Sequence, residues 1–515
     1  MTSQTKQDAD KLDLRLILPG LAAWLSAGVC LAAPTGTATW LGAGLLTLAL
    51  LIAATAAHTR SRSASGTQWA GSVGLVVGAA GLVLTSLGVQ GTLAQSAPLV
   101  DLAQQGETAR IELAIDIPAR RIAPSPFGGA ERMVLEGVAR QVVATASPGP
   151  SKGRIYQVQP GRPARTLAFA TIDQTVPEHR DIGLGDTVIL YGRLAPGDPA
   201  DKAKVMLPGA TIERIRASPG WQGAVSRLRR GLAASARTVP GDAGGLIPGV
   251  AIGDTSGVSQ ELDAAMKGSS LTHLTAVSGS HVAIVFGMVL ALAAAMRLPR
   301  AWRVALGVIG LAGFVALVGP GPSVLRSALM GGVTLLALAL GRGRAAIGAL
   351  GASLLVMLCI DPWMSRDYGF ALSVVATGAL IIIAPRWQQV LARRMPRPLA
   401  AALAVPAAAQ AACSPIIVLF SGKVSLVGVA ANLAAAPAVP LATVSGLLTC
   451  LSIPLGEWAA VCPLRLAAVG AGWIANVAKW SIALPGAVIA WPTGMVGAIT
   501  LTCAILASLA LAIWL

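Results

Sequence analysis

Histidine is scarce in this chain of 515 residues, which holds four, and the six cysteines are scattered along it. No two cysteines stand at the short spacing of a zinc site, and no pattern typical of a disulfide framework is present. Four separated histidines cannot supply the ligands of a two-metal nuclease centre. A nucleotide-binding Walker motif is also absent from the sequence. We therefore expect neither a metal nor a cofactor, and no catalytic function.

Charged residues are scarce as well, at 12% of the chain, whereas 54% of residues are hydrophobic and the mean hydropathy is +0.69. This balance indicates an integral membrane protein. Apolar stretches near the length that spans a bilayer predict a polytopic α-helical membrane protein of about 11–13 spans. They cover 16–34, 38–57, 69–94, 272–296, 302–319, 323–341, 344–360, 370–385, 399–420, 424–452, 464–484 and 492–514. Residues 424–452 are too long and too rich in proline for one plain helix, so we expect a broken or re-entrant segment there.

The formal net charge of +16 reflects basic residues in every second short loop between these stretches. They are Lys6, Lys11, Arg15, Arg60, Arg62, Arg297, Arg300, Arg303, Arg342, Arg344, Arg386, Arg393, Arg394 and Arg397. The alternate loops hold Arg366 and Lys423. By the positive-inside rule, the N-terminus is cytoplasmic and residues 96–240 lie on the outer side of the membrane.

Four regions follow from this pattern. Residues 1–95 are expected to form three N-terminal transmembrane helices, and 96–218 an inserted extracytoplasmic β-rich domain of OB-like type. Its predicted strands are "ARIELAIDI", "RMVLEGVARQVVAT", "RIYQVQ", "RTLAFATI" and "GDTVILYGRL". Residues 219–270 read as amphipathic interfacial helices and a linker, and 271–515 as a second polytopic region. Near-neutral charge and few aromatics leave open whether the β-rich domain binds nucleic acid.

Two short features of the 219–270 region give more specific expectations. Arg227, Arg229, Arg230 and Arg237 make an amphipathic basic stretch, which predicts a helix lying at the membrane surface. The sequence "TSGVSQELDAAMKGSS" predicts a short helix that starts at Ser256 or Ser259 and stops at Gly268.

Polar residues then enter the apolar run that starts at residue 271. His273 and His281 are eight residues apart, so on an ideal helix they are separated by about 12 Å and about 80° and can border one cavity. Ser278 and Gly279 lie between them and weaken the helix. Because polar groups in hydrocarbon usually face a cavity or a partner, the segment is interpreted as the lining or gate of a conduit. Satisfaction by neighbouring helices is the alternative.

Three more polar residues are candidates for the same conduit. Asp254 either caps the following turn or contributes to a site. Arg326, early in an apolar helix, either snorkels to headgroups or contacts a phosphate in a wet path. Asn432 stands beside two prolines, where a discontinuous helix of the kind that lines transport sites is plausible.

Three stretches in order resemble the ComEC family of competence proteins. They are "GVAIGDTSGVSQELDAAMKGSSLTHLTAVSGSHVAIV", "GPSVLRSALMGGVTLLALALGR" followed by "DPWMSRDYGFALS", and "KVSLVGVAANLAAAPAVP". The resemblance implies a membrane channel for single-stranded DNA in natural transformation, with residues 271–515 as its channel domain. It implies as partners single-stranded DNA, membrane lipid, a DNA receptor, a cytoplasmic helicase and a second copy of the chain. Many members continue into a metallo-β-lactamase-like domain, so we expect a short form that relies on a separate nuclease.

Two other functions remain open. One is a transporter of another envelope polymer, which the same scattered polar residues would serve. The other is an intramembrane hydrolase with Ser278 as nucleophile and His281 as base, although the sequence offers neither a nucleophile elbow nor an evident orienting acid.

Overall fold

A computed structural model describes most of the chain. The described residues are 16–59, 64–95, 98–117, 119–122, 132–144, 154–157, 164–171, 182–198, 200–275, 277–319, 321–339 and 346–514. Half of the basic loop residues behind the orientation, namely Lys6, Lys11, Arg15, Arg60, Arg62, Arg342 and Arg344, lie outside these residues.

Three helices open the described chain and pack closely. They are α1 (Ile17–Cys30), α2 (Thr35–Thr59) and α3 (Ala64–Gln95), followed by the short α4 (Pro98–Gln104). Glycines let α2 and α3 approach: a Cβ added to Gly88 would stand 2.1 Å from Thr39 Oγ1. Small residues permit this closeness between membrane helices, where packing drives association.

The inserted region forms one sheet that closes on itself. Its strands are β1 (Thr108–Ile115), β2 (Arg120–Ile122), β3 (Arg132–Ala144), β4 (Arg154–Gln157), β5 (Ala164–Thr171), β6 (Thr187–Arg193), β7 (Ala195–Pro196) and β8 (Val205–Arg216). Strand order is β1-β6-β8-β5-β3, and β1 also pairs with β3, so these five strands form a closed, barrel-like ring. Only β5 and β8 run parallel among the described strands. Alternate residues of β1 are fully buried, as a half-buried strand requires.

All five predicted strands are present, but β2, β7 and β8 were not predicted, and β8 is the longest of these three. Its sequence, "VMLPGATIERIR", carries Pro208 and Gly209, which punctuate a strand pattern and read locally as a turn. The strand forms nevertheless, because it pairs with β5 on one side and β6 on the other. Tertiary pairing here overrides the local sequence signal.

Three helices follow the sheet: α5 (Gly220–Arg237), α6 (Asp242–Ile252) and α7 (Gln260–Gly268). Helix α7 begins as expected, since Ser259 is its N-cap and accepts a hydrogen bond from Leu262 N–H at 3.1 Å. Residues 242–252, by contrast, are no interfacial linker. From Leu246 to Ile252 every residue of α6 is buried, because α6 packs between two later helices.

Arg229 corrects the expectation of a purely surface-lying basic helix. Helix α5 is amphipathic, but Arg229 is on its buried face with 8% of its surface exposed. One guanidinium nitrogen donates to the carbonyl oxygens of Ile252, Leu317 and Val318 at 2.8–3.0 Å. These carbonyls belong to helix C-termini, which lack intrahelical donors. The arginine therefore ties three helices together.

Among the described residues after 271, the secondary structure is helical apart from one small β-ladder. Its helices are α8 (Thr272–Thr275), α9 (Gly279–Ala295), α10 (Arg300–Val318), α11 (Pro322–Ala339), α12 (Ala346–Ile360), α13 (Tyr368–Ile382), α14 (Ala384–Leu391), α15 (Arg397–Ser421), α16 (Gly428–Ala435), α17 (Ala438–Ser452), α18 (Glu457–Ala483) and α19 (Gly494–Trp514). A 3-10 turn covers Pro362–Arg366, and β9 (Lys423–Ser425) pairs with β10 (Val488–Ala490). The break expected in 424–452 is present, between α16 and α17.

Among the described residues, six helices are long and apolar enough to span a membrane, or seven when the bent α13–α14 pair is counted as one span. Five further apolar helices are shorter, at 10–17 residues. The number of long helices in the described part of the chain is lower than the predicted 11–13 spans, and some of the predicted runs are broken. The run at 272–296, for example, divides into α8 and α9.

Candidate functional site

The start of α9 is organised by a side-chain cap, which we call the Ser278 cap (Ser278, Ser280 and His281). Ser278 is extended and immediately precedes the helix. Its backbone N–H donates to His281 Nδ1 at 3.1 Å, and its Oγ lies 2.9 Å from the same nitrogen. Ser280 Oγ lies 2.7 Å from Ser278 Oγ. The pair is a reciprocal capping box in which histidine takes the place of the usual glutamate.

The residues of the Ser278 cap differ in solvent exposure. The His281 ring is fully buried, and its Nε2 has no hydrogen-bond partner among the described residues. Ser280 and Gly279, by contrast, are exposed. The cap thus has an accessible serine and a buried imidazole whose second nitrogen is not satisfied.

Arg326 lies on the helix that packs against this cap. A Cβ added to Gly279 would stand 3.1 Å from Ser327 Oγ, so α9 and α11 approach closely there. Arg326 is 6% exposed and donates through one terminal nitrogen to Gly369 O at 2.9 Å. Its guanidinium carbon is 5.5 Å from the centre of the Phe370 ring. It is therefore buried against α13 and does not snorkel.

Two of the guanidinium nitrogens of Arg326 remain free. Nε and Nη1 are buried and have no hydrogen-bond partner in the described part of the chain. A buried arginine normally pairs its donors, since an unpaired buried donor costs about 1–3 kcal/mol. Two buried donors of Arg326 are therefore available to a hydrogen-bond acceptor.

His273 and Asn432 belong to a second group, here named the Gln410 cluster (Ser270, His273, Gln410, Ser425, Gly428 and Asn432). His273 is exposed and its Nδ1 is 3.2 Å from Ser270 O. Asn432 donates to Gly428 O at 2.8 Å, within its own helix. A Cβ added to Gly428 would stand 2.4 Å from Gln410 Oε1 and 3.0 Å from the Cβ of Ser270.

Gln410 was missed by sequence reasoning, which gave no weight to one glutamine in an alanine-rich helix. Its Nε2 donates to Ser425 O at 2.7 Å, across from α15 to the β9 strand. Gln410 Oε1 and Ser425 Oγ are buried without partners among the described residues. The available signal was the position of Gln410 in the middle of an apolar span, where polar side chains usually serve a function.

Asp254 is next in the chain to Gly253, which packs against Val277, the residue before Ser278. It follows Gly253, the left-handed C-cap of α6, and its carboxylate accepts from Ser256 N–H at 3.0 Å. That contact closes an Asx turn. The structure thus gives Asp254 a capping contact. It brings Ser278, Gly279 and His281 together where α9 approaches Ser327 of α11, and His273 and Asn432 to a common cluster.

Chemically, both groups offer hydroxyl, amide and imidazole contacts inside an apolar helical bundle. No group of three metal-ligating side chains occurs among the residues that the structure describes. The apolar helices, the inserted barrel-like sheet and the polar clusters define a multi-pass membrane protein.

Comparison with known proteins identifies the family. Residues 250–515 match the family described as Competence protein, which is more than half of the chain, so the chain belongs to that family. This confirms the resemblance to the ComEC family. The chain is also similar to ComE operon protein 3 of Bacillus subtilis (strain 168), at 30% identity over 225 residues. The match covers 42% of this chain but 28% of that protein. No solved structure matches the chain.

Proposed function

We propose that this protein is a membrane channel that carries single-stranded DNA across the cytoplasmic membrane during natural transformation. The observation that carries the proposal is the buried Arg326, whose Nε and Nη1 have no partner among the described residues, on the helix that approaches the Ser278 cap where Ser327 meets Gly279. Membership of the Competence protein family supports DNA as the cargo. The proposed transport residues are Asp254, His273, Ser278, Gly279, His281, Arg326 and Asn432.

The physical requirement is a wet and weakly binding path. Phosphates cannot enter hydrocarbon bare, because desolvating an ion costs far more than any single contact returns. Dense lysine and arginine would hold the strand too tightly, since conduction needs sites that release as readily as they bind. One arginine with scattered hydroxyls, amides and imidazoles meets both requirements.

We place the N-terminus in the cytoplasm and the barrel-like domain outside, from the distribution of basic loop residues. The closed ring of five strands with one parallel pair supports an OB-type assignment for that domain. The proposed partners are membrane lipid, a DNA receptor, a cytoplasmic helicase, a separate nuclease and a second copy of the chain.

Deletion of the gene in a transformable host tests the proposal. Uptake of labelled DNA into the cytosol should stop, while binding of DNA at the cell surface persists. Unchanged transformation would refute DNA as the cargo, and loss of a different surface polymer would support a transporter of that polymer.

A second candidate, an intramembrane hydrolase, is favoured by the 2.9 Å approach of Ser278 Oγ to His281 Nδ1. A nucleophile and its base need this distance. The imidazole would, however, need an orienting group at Nε2, and among the described residues that nitrogen has none. A hydrolase would require the Ser278 hydroxyl as nucleophile. Ser278→Ala would therefore abolish the function of a hydrolase but not that of a channel.

A further inference from the structure

The loop 361–367, between α12 and α13, contacts helix α1 and the barrel-like domain, and it leads into the first turn of α13, which contacts Arg326. From the N-terminal helices, Trp24 Nε1 donates to Ser365 O at 2.8 Å. In the other direction, Arg366 Nε donates to Gly28 O at 3.0 Å. The loop therefore rests on α1.

The barrel-like domain touches this loop through two lysines. Lys202 Nζ forms an ion pair with the carboxylate of Asp361, whose side chain is 12% exposed. Lys204 Nζ stands 5.5 Å from the centre of the Trp363 ring. Burial lowers the pKa of the Lys204 amine, and burial likewise raises the pKa of the Asp116 carboxyl in the same domain. Both lysines are held in a partly desolvated contact, where pairing is stronger than at an open surface.

The far end of the loop leads into the first turn of α13, which holds the partners of Arg326. Asp367 caps α13 by accepting a hydrogen bond from Phe370 N–H. The first turn of that helix then supplies Gly369 O, the acceptor of Arg326, and the fully buried Phe370 ring beneath its guanidinium. Trp24 meets the same ring edge-on at 5.4 Å. Displacing the loop would therefore move the acceptor and the ring that fix the direction of the guanidinium.

We propose that the free Nε and Nη1 donors of Arg326 bind one phosphodiester of the translocating strand, and that Lys202 and Asp361 are positioning residues that fix this phosphate site from the barrel-like domain. The proposal rests on the proposed function, since it takes the strand as ligand. Guanidinium suits the role because it is permanently charged and its several N–H donors match phosphate oxygens. The barrel-like domain then controls the strength of a membrane site through the loop 361–367.

Binding of a fluorescent single-stranded oligonucleotide to the full-length protein in nanodiscs, measured at several salt concentrations, tests the proposal. Arg326→Gln should weaken binding and lower the slope of log K against log salt by about 0.7, the value for one phosphate on a single strand. Lys202→Glu should weaken binding about five-fold or more, the lower end of usual coupling between sites. The charge swap Lys202→Glu with Asp361→Lys should restore it.

Matched controls separate positioning from loss of charge. Arg214→Glu makes the same charge change at an exposed residue of the barrel-like domain and should leave affinity within about two-fold, since exposed charges act weakly in salt. In the Arg326→Gln background, Lys202→Glu should not weaken oligonucleotide binding further, because both substitutions act on the same contact between Arg326 and the phosphate. If Lys202→Glu and Arg214→Glu weakened oligonucleotide binding equally, the proposal would be overturned. Failure of the charge swap Lys202→Glu with Asp361→Lys to restore binding would also overturn it. Neither result would contradict the channel function.

A zero-length carbodiimide crosslink provides a readout that does not depend on DNA. It should join Lys202 to Asp361 in the native chain, and the linked peptides should be absent from Lys202→Gln. Absence of this crosslink from the native protein would refute the docked contact. If the native protein crosslinks but binds no oligonucleotide at any salt concentration, the channel function fails and the phosphate site fails with it.

Discussion

Ser278 and His281 hold one another at the start of α9: the serine hydroxyl lies 2.9 Å from the imidazole Nδ1, which also accepts the serine backbone N–H. The same two side chains could cap a helix or perform hydrolysis. Capping accounts for the backbone contact, because His281 Nδ1 accepts from the Ser278 N–H, an orphan donor of the helix N-terminus. Substitutions that keep or remove the hydroxyl separate the two roles.

Ser278→Ala should lower the free energy of unfolding by about 1 kcal/mol, the usual cost of losing an N-cap hydroxyl. Ser278→Thr keeps the hydroxyl and should stay near the native value. Thermal unfolding in detergent checks both. DNA uptake should continue at the native level in Ser278→Thr and be reduced, without stopping, in Ser278→Ala, which loses one polar contact of the proposed path. Complete loss of uptake in folded Ser278→Ala would favour the hydrolase.

Gly279→Val should destabilise the protein by about 1–3 kcal/mol, because the added side chain enters the close contact with Ser327 and overpacks it. Ser327→Ala in the same chain removes the Oγ and should recover part of the loss. Gly287→Val is the control on the same helix, since nothing lies within 4 Å of a Cβ there. Equal melting temperatures for the two valine variants would show that α9 and α11 do not meet at Gly279.

Gly428→Ala should disturb the Gln410 cluster, since the new Cβ would stand 2.4 Å from Gln410 Oε1. We expect a loss of about 1–3 kcal/mol in the free energy of unfolding, and recovery in the double variant with Gln410→Ala. Gly378→Ala, in open space on α13, is the control. If stability did not recover in the double variant Gly428→Ala with Gln410→Ala, residue 428 and the Gln410 side chain would not be in contact.

Arg229→Met should destabilise the protein by about 3–5 kcal/mol, because three buried carbonyls lose their donor. Methionine keeps the apolar length of the side chain. Arg227→Met, on the exposed face of the same helix, should change stability by about 0.5 kcal/mol or less. Similar melting temperatures for the two variants would contradict the buried placement of Arg229.

The sequence predicted which helices and strands form better than it predicted which of them pack together. Long apolar runs located the membrane helices, and the Ser259 cap and five strands were found from local patterns. Local patterns did not reveal α6 as a buried helix, because its eleven residues carry three glycines and one proline. They also missed Arg229, since an amphipathic pattern marks a face but not what covers it.

In the candidate site, too, local features were predicted from the sequence, whereas contacts between helices were not. The Ser278 cap was predicted as a polar group within an apolar run, and the contact with His281 follows from their spacing of three residues. Its neighbour Arg326 and the whole Gln410 cluster depend on how α9, α11, α15 and α16 pack. Periodicity along one segment contains no information on packing between segments.

Thiol labelling of Ser280→Cys in a cysteine-free background tests the central claim, that the start of α9 borders a hydrated passage. The account predicts rapid reaction with a membrane-impermeant maleimide in intact cells, and protection by single-stranded DNA during uptake. Leu292→Cys, on the exposed apolar part of the same helix, should not react, because lipid covers it. A Ser280→Cys variant that stays unlabelled, while Arg214→Cys in the barrel-like domain reacts fully, would contradict the account.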